Sequence, residues 1–360
     1  MKLRRLALLA TAFGTTVPLS TACSSAPPPT VAVAPAGTGF GMVIHGGAGT
    51  ITRATMTDEM EAQYRAVLEQ ALRTGYEILE RGGSSLDAVE ATVRVMEDAP
   101  MFNAGRGAVF TNEGRNELDA AIMDGRTLQA GAIAGVTRVR NPISLARAVM
   151  ERSPHVMMIR EGAEAFGREL GHEMVPESYF FTENRWNALR RALEAEGLPM
   201  PDRPTTAPPS DDGLTLHEDD SDRKFGTVGA VALDRHGNLA AATSTGGMTN
   251  KRFGRVGDVP IIGAGTYASP GCAVSATGHG EFFIRNIVAY DICARMTYTG
   301  VSLDRAAHQV VMQRLVEQGG DGGIIAMDAA GNYTMTFNSA GMYRGYIDAQ
   351  GRSTVAIYRE

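Results

Sequence analysis

Lys224-Phe225-Gly226-Thr227-Val228-Gly229-Ala230-Val231-Ala232-Leu233 begins where a charged, proline-rich segment stops. The segment before it, Pro199 to Asp222, holds five Pro and seven Asp or Glu with few core-forming residues. A linker this long is uncommon inside a compact domain, and is usually functional or disordered. Order is expected to return at Thr227, with an apolar strand to Leu233, a turn at Asp234-Arg235-His236-Gly237-Asn238, and a return strand from Leu239 to Thr243. A threonine hydroxyl is a weak nucleophile unless a base lies beside it, and no histidine is placed locally for that task. An N-terminal threonine supplies the base itself, because an α-amine has a pKa of about 7.7–8. Inside an intact chain that nitrogen is an amide, so activity would require breaking the Gly226–Thr227 bond. The plainer reading, that Thr227 only starts a strand after a surface loop, stays open on the residues alone.

Outward from this hairpin the pattern alternates. Gly41 to Ile44 reads as a strand running into the glycine turn His45-Gly46-Gly47-Ala48-Gly49. Thr57 to Arg81 reads as an amphipathic helix, with Met60, Tyr64, Val67, Leu68, Ala71, Leu72 and Leu79 at three- and four-residue steps. Gly82-Gly83 stops it, and Ser84 with Asp87 forms a capping pair for a helix to about Asp98. Leu118–Met123 and Ala130–Arg138 are expected strands, and 141–152 and 182–196 expected helices. Downstream, Glu281–Met296 and Leu303–Gln318 read as single helices, followed by a hairpin of 324–327 and 333–337. Layered sheets covered by helices fit this order better than a parallel sheet or a barrel.

Composition narrows the chemistry. The chain has 360 residues, net charge -6 and 44% hydrophobic residues, so a sizeable core is available and a nucleic-acid partner is not indicated. Three Cys exclude a disulfide framework, and seven scattered His show no zinc spacing. Cys272 and Cys293 could pair in an oxidising compartment or stay two buried thiols, and no disulfide is assigned. No dinucleotide fingerprint, Walker sequence or Gly-x-Ser-x-Gly elbow is present. Glycine is in excess, at 42 residues, and points to tight turns and close backbone approaches.

Three further clusters carry candidate chemistry. Thr243-Ser244-Thr245-Gly246-Gly247-Met248-Thr249-Asn250 suits a pocket floor or an ordinary glycine turn. Arg255-Val256-Gly257-Asp258 places a cation and an anion three residues apart, able to grip both ends of a zwitterionic amino acid or to form a surface ion pair. The guanidinium would hold a carboxylate in a bidentate fork. Thr277-Gly278-His279-Gly280-Glu281 ends a small-residue strand before a helix, so a hydroxyl and a backbone N–H could face an oxyanion.

Together with Phe102-Asn103-Ala104-Gly105 and Gly341-Met342-Tyr343-Arg344, these segments resemble, in order, the plant-type L-asparaginase/isoaspartyl peptidases, a threonine-type branch of the N-terminal-nucleophile hydrolases. The resemblance implies an α/β, four-layer αββα sandwich in one catalytic domain. Residues 40–198 would be its α part, 199–226 a linker cut at its end, and 227–360 its β part. It implies Thr227 as nucleophile and base, Thr245 as its tuning partner and Asn103 as an orienting residue. Thr277 and Gly278 would form the oxyanion hole; Arg255 and Asp258, with Gly278 and Gly280 beside them, would bind the substrate. The implied substrates are β-aspartyl dipeptides and L-asparagine, and the implied assembly is an (αβ)₂ heterotetramer. No cofactor is implied for catalysis, and a structural sodium would sit on backbone carbonyls of Met96, Glu97, Ala99 and Phe102. Glycosylasparaginase shares the Thr and the Arg-Val-Gly-Asp segment, whereas the His45–Gly49 and Thr243–Asn250 wording favours the isoaspartyl branch. A non-catalytic tethered binding protein of the same fold is the reading from another class. Arg106, Ala276 and His279 depart from the family pattern next to the implied pocket.

The front end reads as an export signal over residues 1–22. Lys2, Arg4 and Arg5 precede a short apolar run, Leu6 to Val17, too brief to span a bilayer. Ala22-Cys23 resembles a bacterial lipoprotein junction, with Cys23 as the lipidated residue, and ordinary cleavage near Ala22 is the alternative. Residues 23–39, rich in Pro and small residues, read as a tether. The expected location is the periplasm.

Overall fold

A computed structural model describes residues 39–204 and 226–359. The export signal, nearly all of the tether and most of the acidic linker lie outside the described residues. Among the described residues no helix is long and apolar enough to cross a membrane.

The threonine hairpin lies in the middle of an eight-stranded sheet. Its strands are β1 (Gly41–Gly49), β2 (Leu118–Asp124), β3 (Ala130–Val136), β4 (Met157–Ile159), β5 (Val228–Leu233), β6 (Leu239–Thr245), β11 (Gly341–Ile347) and β12 (Ser353–Tyr358). Their order is β12-β11-β1-β5-β6-β2-β3-β4, antiparallel except for the β3–β4 pair. A second sheet has the order β10-β9-β8-β7, from β7 (Thr266–Ser269), β8 (Cys272–Gly278), β9 (Gly322–Asp328) and β10 (Tyr333–Phe337).

Period-two alternation builds the layers, because successive side chains leave opposite faces of a strand. Met42, Ile44, Ala230, Ala232, Ala240 and Ala242 pack under helices, whereas Val43, Val231, Leu233, Leu239 and Ala241 meet Ala273, Ile325 and Met327 of the second sheet. Both faces of the hairpin are therefore buried, and its strands read as continuous apolar runs. Helices α1 (Asp58–Glu80), α2 (Ser85–Asp98) and α3 (Pro142–Arg152) cover the large sheet. Helix α4 (Arg160–Glu169) follows β4, and α5 (Glu183–Glu196) packs Trp186, Leu189 and Leu193 around Phe110 and Phe181. The far face of the small sheet buries Val274, Ala276, Ile324 and Ala326 against α6 (Gly280–Asn286), α7 (Val288–Thr299), α8 (Leu303–Ala307) and the π-helical turn His308–Arg314 that leads to α9 (Leu315–Glu317). Four layers, helix–sheet–sheet–helix, result.

Local chemistry sets the helix ends. The Thr57 hydroxyl accepts the Met60 N–H at 3.2 Å and the Ser84 hydroxyl accepts that of Asp87 at 3.1 Å, each satisfying an orphan donor of a first turn. Asp58, Glu59 and Glu61 add negative charge at the positive end of α1.

Two expectations are corrected. His45–Gly49, expected as a turn, continues β1 as strand, because it pairs with β11 as far as Gly341. The helix expected over 281–296 is two, broken at Ile287, whose φ of +47° is unfavourable for a β-branched residue. Carbonyls of Gly263 and Ala264 accept the N–H groups of Tyr290 and Ala289, so a distant loop takes over donors of the second helix. Strands β11 and β12 had no assignment, although β11 pairs directly with β1. Cys272 and Cys293, whose pairing the residues leave open, are joined in a disulfide with Cα atoms 5.5 Å apart, because α7 lies directly on β8.

Candidate active site

Thr227 precedes β5, is 7% exposed, and is held at two points. Its hydroxyl donates to Thr245 Oγ1 at 3.0 Å, and Thr245 Oγ1 also accepts the Gly247 N–H at 3.0 Å. Its carbonyl accepts from His45 Nδ1 at 3.0 Å. The preceding carbonyl, of Gly226, accepts the Asn103 N–H at 3.0 Å, so the bond that would be cut is polarised by a fixed donor. Glycine is required on both sides of that bond's pocket. A Cβ on Gly47, whose φ is +112°, would lie 2.5 Å from Gly226 Cα, and one on Gly226 would lie 2.9 Å from Asn103 Cβ.

Asn103 ties this corner to the turn after β6. Its side-chain amide donates to the Gly247 carbonyl at 2.7 Å and accepts the Val109 N–H at 3.0 Å, while its own carbonyl accepts the Gly246 N–H at 3.0 Å. Arg255 and Asp258 meet at Gly280, where a Cβ would lie 2.8 Å from both Arg255 Nη2 and Asp258 Oδ1. Asp258 is 5% exposed, and its Oδ2 is buried without a hydrogen-bond partner among the described residues. Burial pushes its carboxyl up to about 7, against the pull of the Asp258 N–H and of Arg255. An orphaned acceptor beside a fixed guanidinium is arranged for a ligand that brings its own N–H donors.

Thr277 closes the constellation. Its hydroxyl accepts the Ala48 N–H at 3.3 Å, which leaves its proton available to a third atom. The glycine-rich half of β1 thereby touches three of these points: His45 meets Thr227, Gly47 meets Gly226, and Ala48 meets Thr277. A register shift between His45 and Gly47 in the pairing with β11 opens β1 there.

Glu281, which has no role in the sequence reading, braces Arg255. Arg255 Nε and Nη2 each reach a Glu281 carboxylate oxygen at 2.9 Å, so one bidentate edge is held by this chain's own acid and the Nη1 side faces elsewhere. Glu281 also lies 3.3 Å from His279 Nε2. The guanidinium is thus held rigidly, with Nη1 beside Gly247 and Gly257. The Glu97 side chain was missed as well. It is fully buried and accepts from Ser244 Oγ at 2.6 Å and from the Ile143 N–H at 3.0 Å, joining the residue before Thr245 to the start of α3. Burial raises its carboxyl to about 8, although these donors pull the other way. Ser244 and Glu97 lie 147 positions apart, so no local signal exposes the pair.

A helix–sheet–sheet–helix sandwich with a buried threonine at the head of a central strand defines an N-terminal-nucleophile hydrolase. A family described as asparaginase matches residues 38–357, and the chain belongs to that family. It is 51% identical over 320 residues to the isoaspartyl peptidase of Salmonella typhimurium, covering 89% of this chain and 98% of that one. It is 52% identical to the isoaspartyl peptidase of Escherichia coli, covering 89% and 96% of the two chains. It is also 41% identical over 330 residues to a probable isoaspartyl peptidase/L-asparaginase of Arabidopsis thaliana, covering 89% and 99%.

Proposed function

We propose that this protein is a self-processing hydrolase of β-aspartyl dipeptides and of the side-chain amide of L-asparagine. The observation that carries the reading is Thr227, its hydroxyl on Thr245 and its preceding carbonyl held by Asn103, together with half-buried Arg255 and buried Asp258 meeting at Gly280. In processing, Thr227 Oγ attacks the Gly226 carbonyl and the Thr227 nitrogen leaves. Water then opens the resulting ester, giving a Gly226 carboxylate and a free Thr227 amine. In turnover that amine takes the Oγ proton while Oγ attacks the β-carbonyl of the substrate. The oxyanion meets the Thr277 hydroxyl and the Gly278 N–H, and ammonia or an amino acid leaves with the proton. Water then releases aspartate from the β-aspartyl ester. The substrate's α-ammonium donates to Asp258, and its α-carboxylate takes the Arg255 edge not held by Glu281. An internal peptide has no free α-ammonium to offer.

The test is an assay of the processed protein with a β-aspartyl dipeptide, L-asparagine, and asparagine carrying an N-linked sugar. Turnover of the first two is expected; turnover of the third alone, or of none, removes the reading. The pH profile supplies a second prediction. Asp258 titrates near 7 and a free α-amine near 7.7–8. Both must be deprotonated in the free enzyme, so kcat/KM falls on acidification with a slope above one proton. Asp258→Asn is expected to leave a one-proton limb and to lower kcat/KM at pH 8 about 100-fold, the cost of unpairing a buried ammonium. A wild-type limb of unit slope would count against an ionised Asp258 as amine ligand.

The threonine supplies both nucleophile and base, so the reading includes no cofactor for catalysis. It includes a structural sodium near the Asn103 loop. The carbonyls of Glu97, Pro100 and Phe102 crowd the Gly105–Gly107 turn, where a Cβ would overlap them, and neutral oxygens suit a hard monovalent cation. Met96 and Ala99 flank this set. The reading also includes pairing of two processed units, supported by the exposed Val156, Met157 and Ile159 on the sheet edge. The fully exposed Phe253 belongs with them, since its neighbour Gly254 packs on Arg160. Export to the periplasm, with a lipid on Cys23, rests on the leader residues.

A further inference from the structure

Behind Thr227 runs a chain of buried polar groups that the acyl-transfer scheme leaves unused. His45 on β1 is completely enclosed, with Nδ1 on the Thr227 carbonyl at 3.0 Å and Nε2 at 2.9 Å from Ser275 Oγ on β8. Ser275 Oγ lies 2.7 Å from Thr243 Oγ1 on β6, which lies 2.7 Å from Thr266 Oγ1 on β7. Thr266 Oγ1 is also 3.1 Å from the carbonyl of Val259, the residue after Asp258. The chain crosses between the two sheets three times, from His45 to Ser275, back to Thr243 and again to Thr266.

Proton directions follow from the ends. A carbonyl only accepts, so His45 Nδ1 carries the proton and Nε2 accepts one from Ser275. Ser275 then accepts from Thr243, and Thr243 from Thr266, whose single proton is shared with the Val259 carbonyl. Burial lowers the His45 pKa to about 3, which keeps the ring neutral as this order requires. Gly229 admits the contact: a Cβ there would overlap both Ser275 Oγ and His45 Nε2.

We propose that His45, Ser275, Thr243 and Thr266 are positioning residues that hold the nucleophile in register with the loop carrying the substrate's amine ligand. The proposal rests on the hydrolase reading above. Thr227 lies one residue before the first β5–β6 pair, Val228 with Ser244, so the ladder itself does not set its orientation. Once the Gly226–Thr227 bond is cut, the peptide restraint on the upstream side is lost. The carbonyl bond to His45 and the hydroxyl bond to Thr245 then orient the residue. A displacement of about 1 Å from productive geometry can cost about 100-fold in rate.

The experiment compares Thr266→Val, His45→Asn, His45→Gln and His45→Leu as processed enzymes, on asparagine and on a β-aspartyl dipeptide. Thr266→Val, remote from the nucleophile, is expected to lower kcat about tenfold on both substrates with KM within twofold, because Arg255 and Asp258 still bind as a unit. His45→Asn places an amide N–H where Nδ1 was, and is expected to retain at least tenfold more kcat than His45→Gln or His45→Leu. Equal kcat for Thr266→Val and wild type, or no advantage of Asn over Leu, overturns the proposal. Ser275→Ala, which removes one oxygen, substitutes for Thr266→Val if that variant does not fold, with the same expected kcat loss. Autoprocessing rates of the His45 precursors give a readout independent of substrate. If the wild type hydrolyses neither substrate, the hydrolase reading fails, while Asn processing faster than Gln and Leu still upholds the relay and equal rates overturn it.

Discussion

Thr227→Ala is expected to leave the chain whole and to abolish hydrolysis. The substitution removes one hydroxyl from a buried position whose partner, Thr245 Oγ1, keeps the Gly247 N–H, so the fold should survive. Without Oγ there is no attack on the Gly226 carbonyl, no free amine and no acyl-enzyme. Loss of a nucleophile typically costs about 10⁶-fold in kcat, and here the base is lost with it. Intact-mass measurement is to give one uncut chain for the variant and two fragments meeting at Gly226 and Thr227 for the wild type. Ammonia release from asparagine is to fall to the buffer rate. A cut Thr227→Ala chain would place the nucleophile elsewhere.

Arg255→Ala is the second large effect. The guanidinium is braced by Glu281 at 2.9 Å on two nitrogens and lies against Gly280 together with Asp258. Truncation removes the substrate's carboxylate partner, and it also strips the Glu281 carboxylate of its guanidinium, leaving it with His279 Nε2 at 3.3 Å. Removing one member of a buried charge pair costs about 2–5 kcal/mol, so kcat/KM should fall about 30- to 5,000-fold, chiefly through KM. Autoprocessing needs no external carboxylate, and its rate should stay within a few-fold of wild type. Arg255→Lys is not expected to rescue, since one ammonium cannot hold Glu281 at two points and still face a ligand. Steady-state kinetics with the processed variant checks this, and an unchanged KM would remove Arg255 from the substrate.

The helices on the large sheet were legible because their signals are local. Thr57 and Ser84 cap where the hydroxyl and first turn fall within four residues, and Met60 to Leu79 repeat at helical spacing. The β5–β6 hairpin was legible for the same reason, through its turn residues and apolar runs. Helix 281–296 misled because its break depends on carbonyls from Gly263 and Ala264, outside any helical window. Strand β11 was overlooked because its glycines, aromatics and arginine show no apolar alternation, and β12 because, at the sheet edge, it runs from exposed to buried. The disulfide escaped because twenty-one positions of sequence separation say nothing about how α7 lies on β8.

Sequence alone determined which chemistry is available: a Gly–Thr bond after an acidic linker, a hydroxyl-rich turn, and an Arg–Asp pair three residues apart. Such information survives in sequence because each motif is a short stretch whose atoms stay close in any fold. Only the tertiary structure decided how those groups are aimed. It brought Glu281 to the Arg255 fork, left Asp258 Oδ2 buried without a donor among the described residues, and joined His45 to Ser275 across 230 positions. These depend on distances and dielectric surroundings created when two sheets pack face to face.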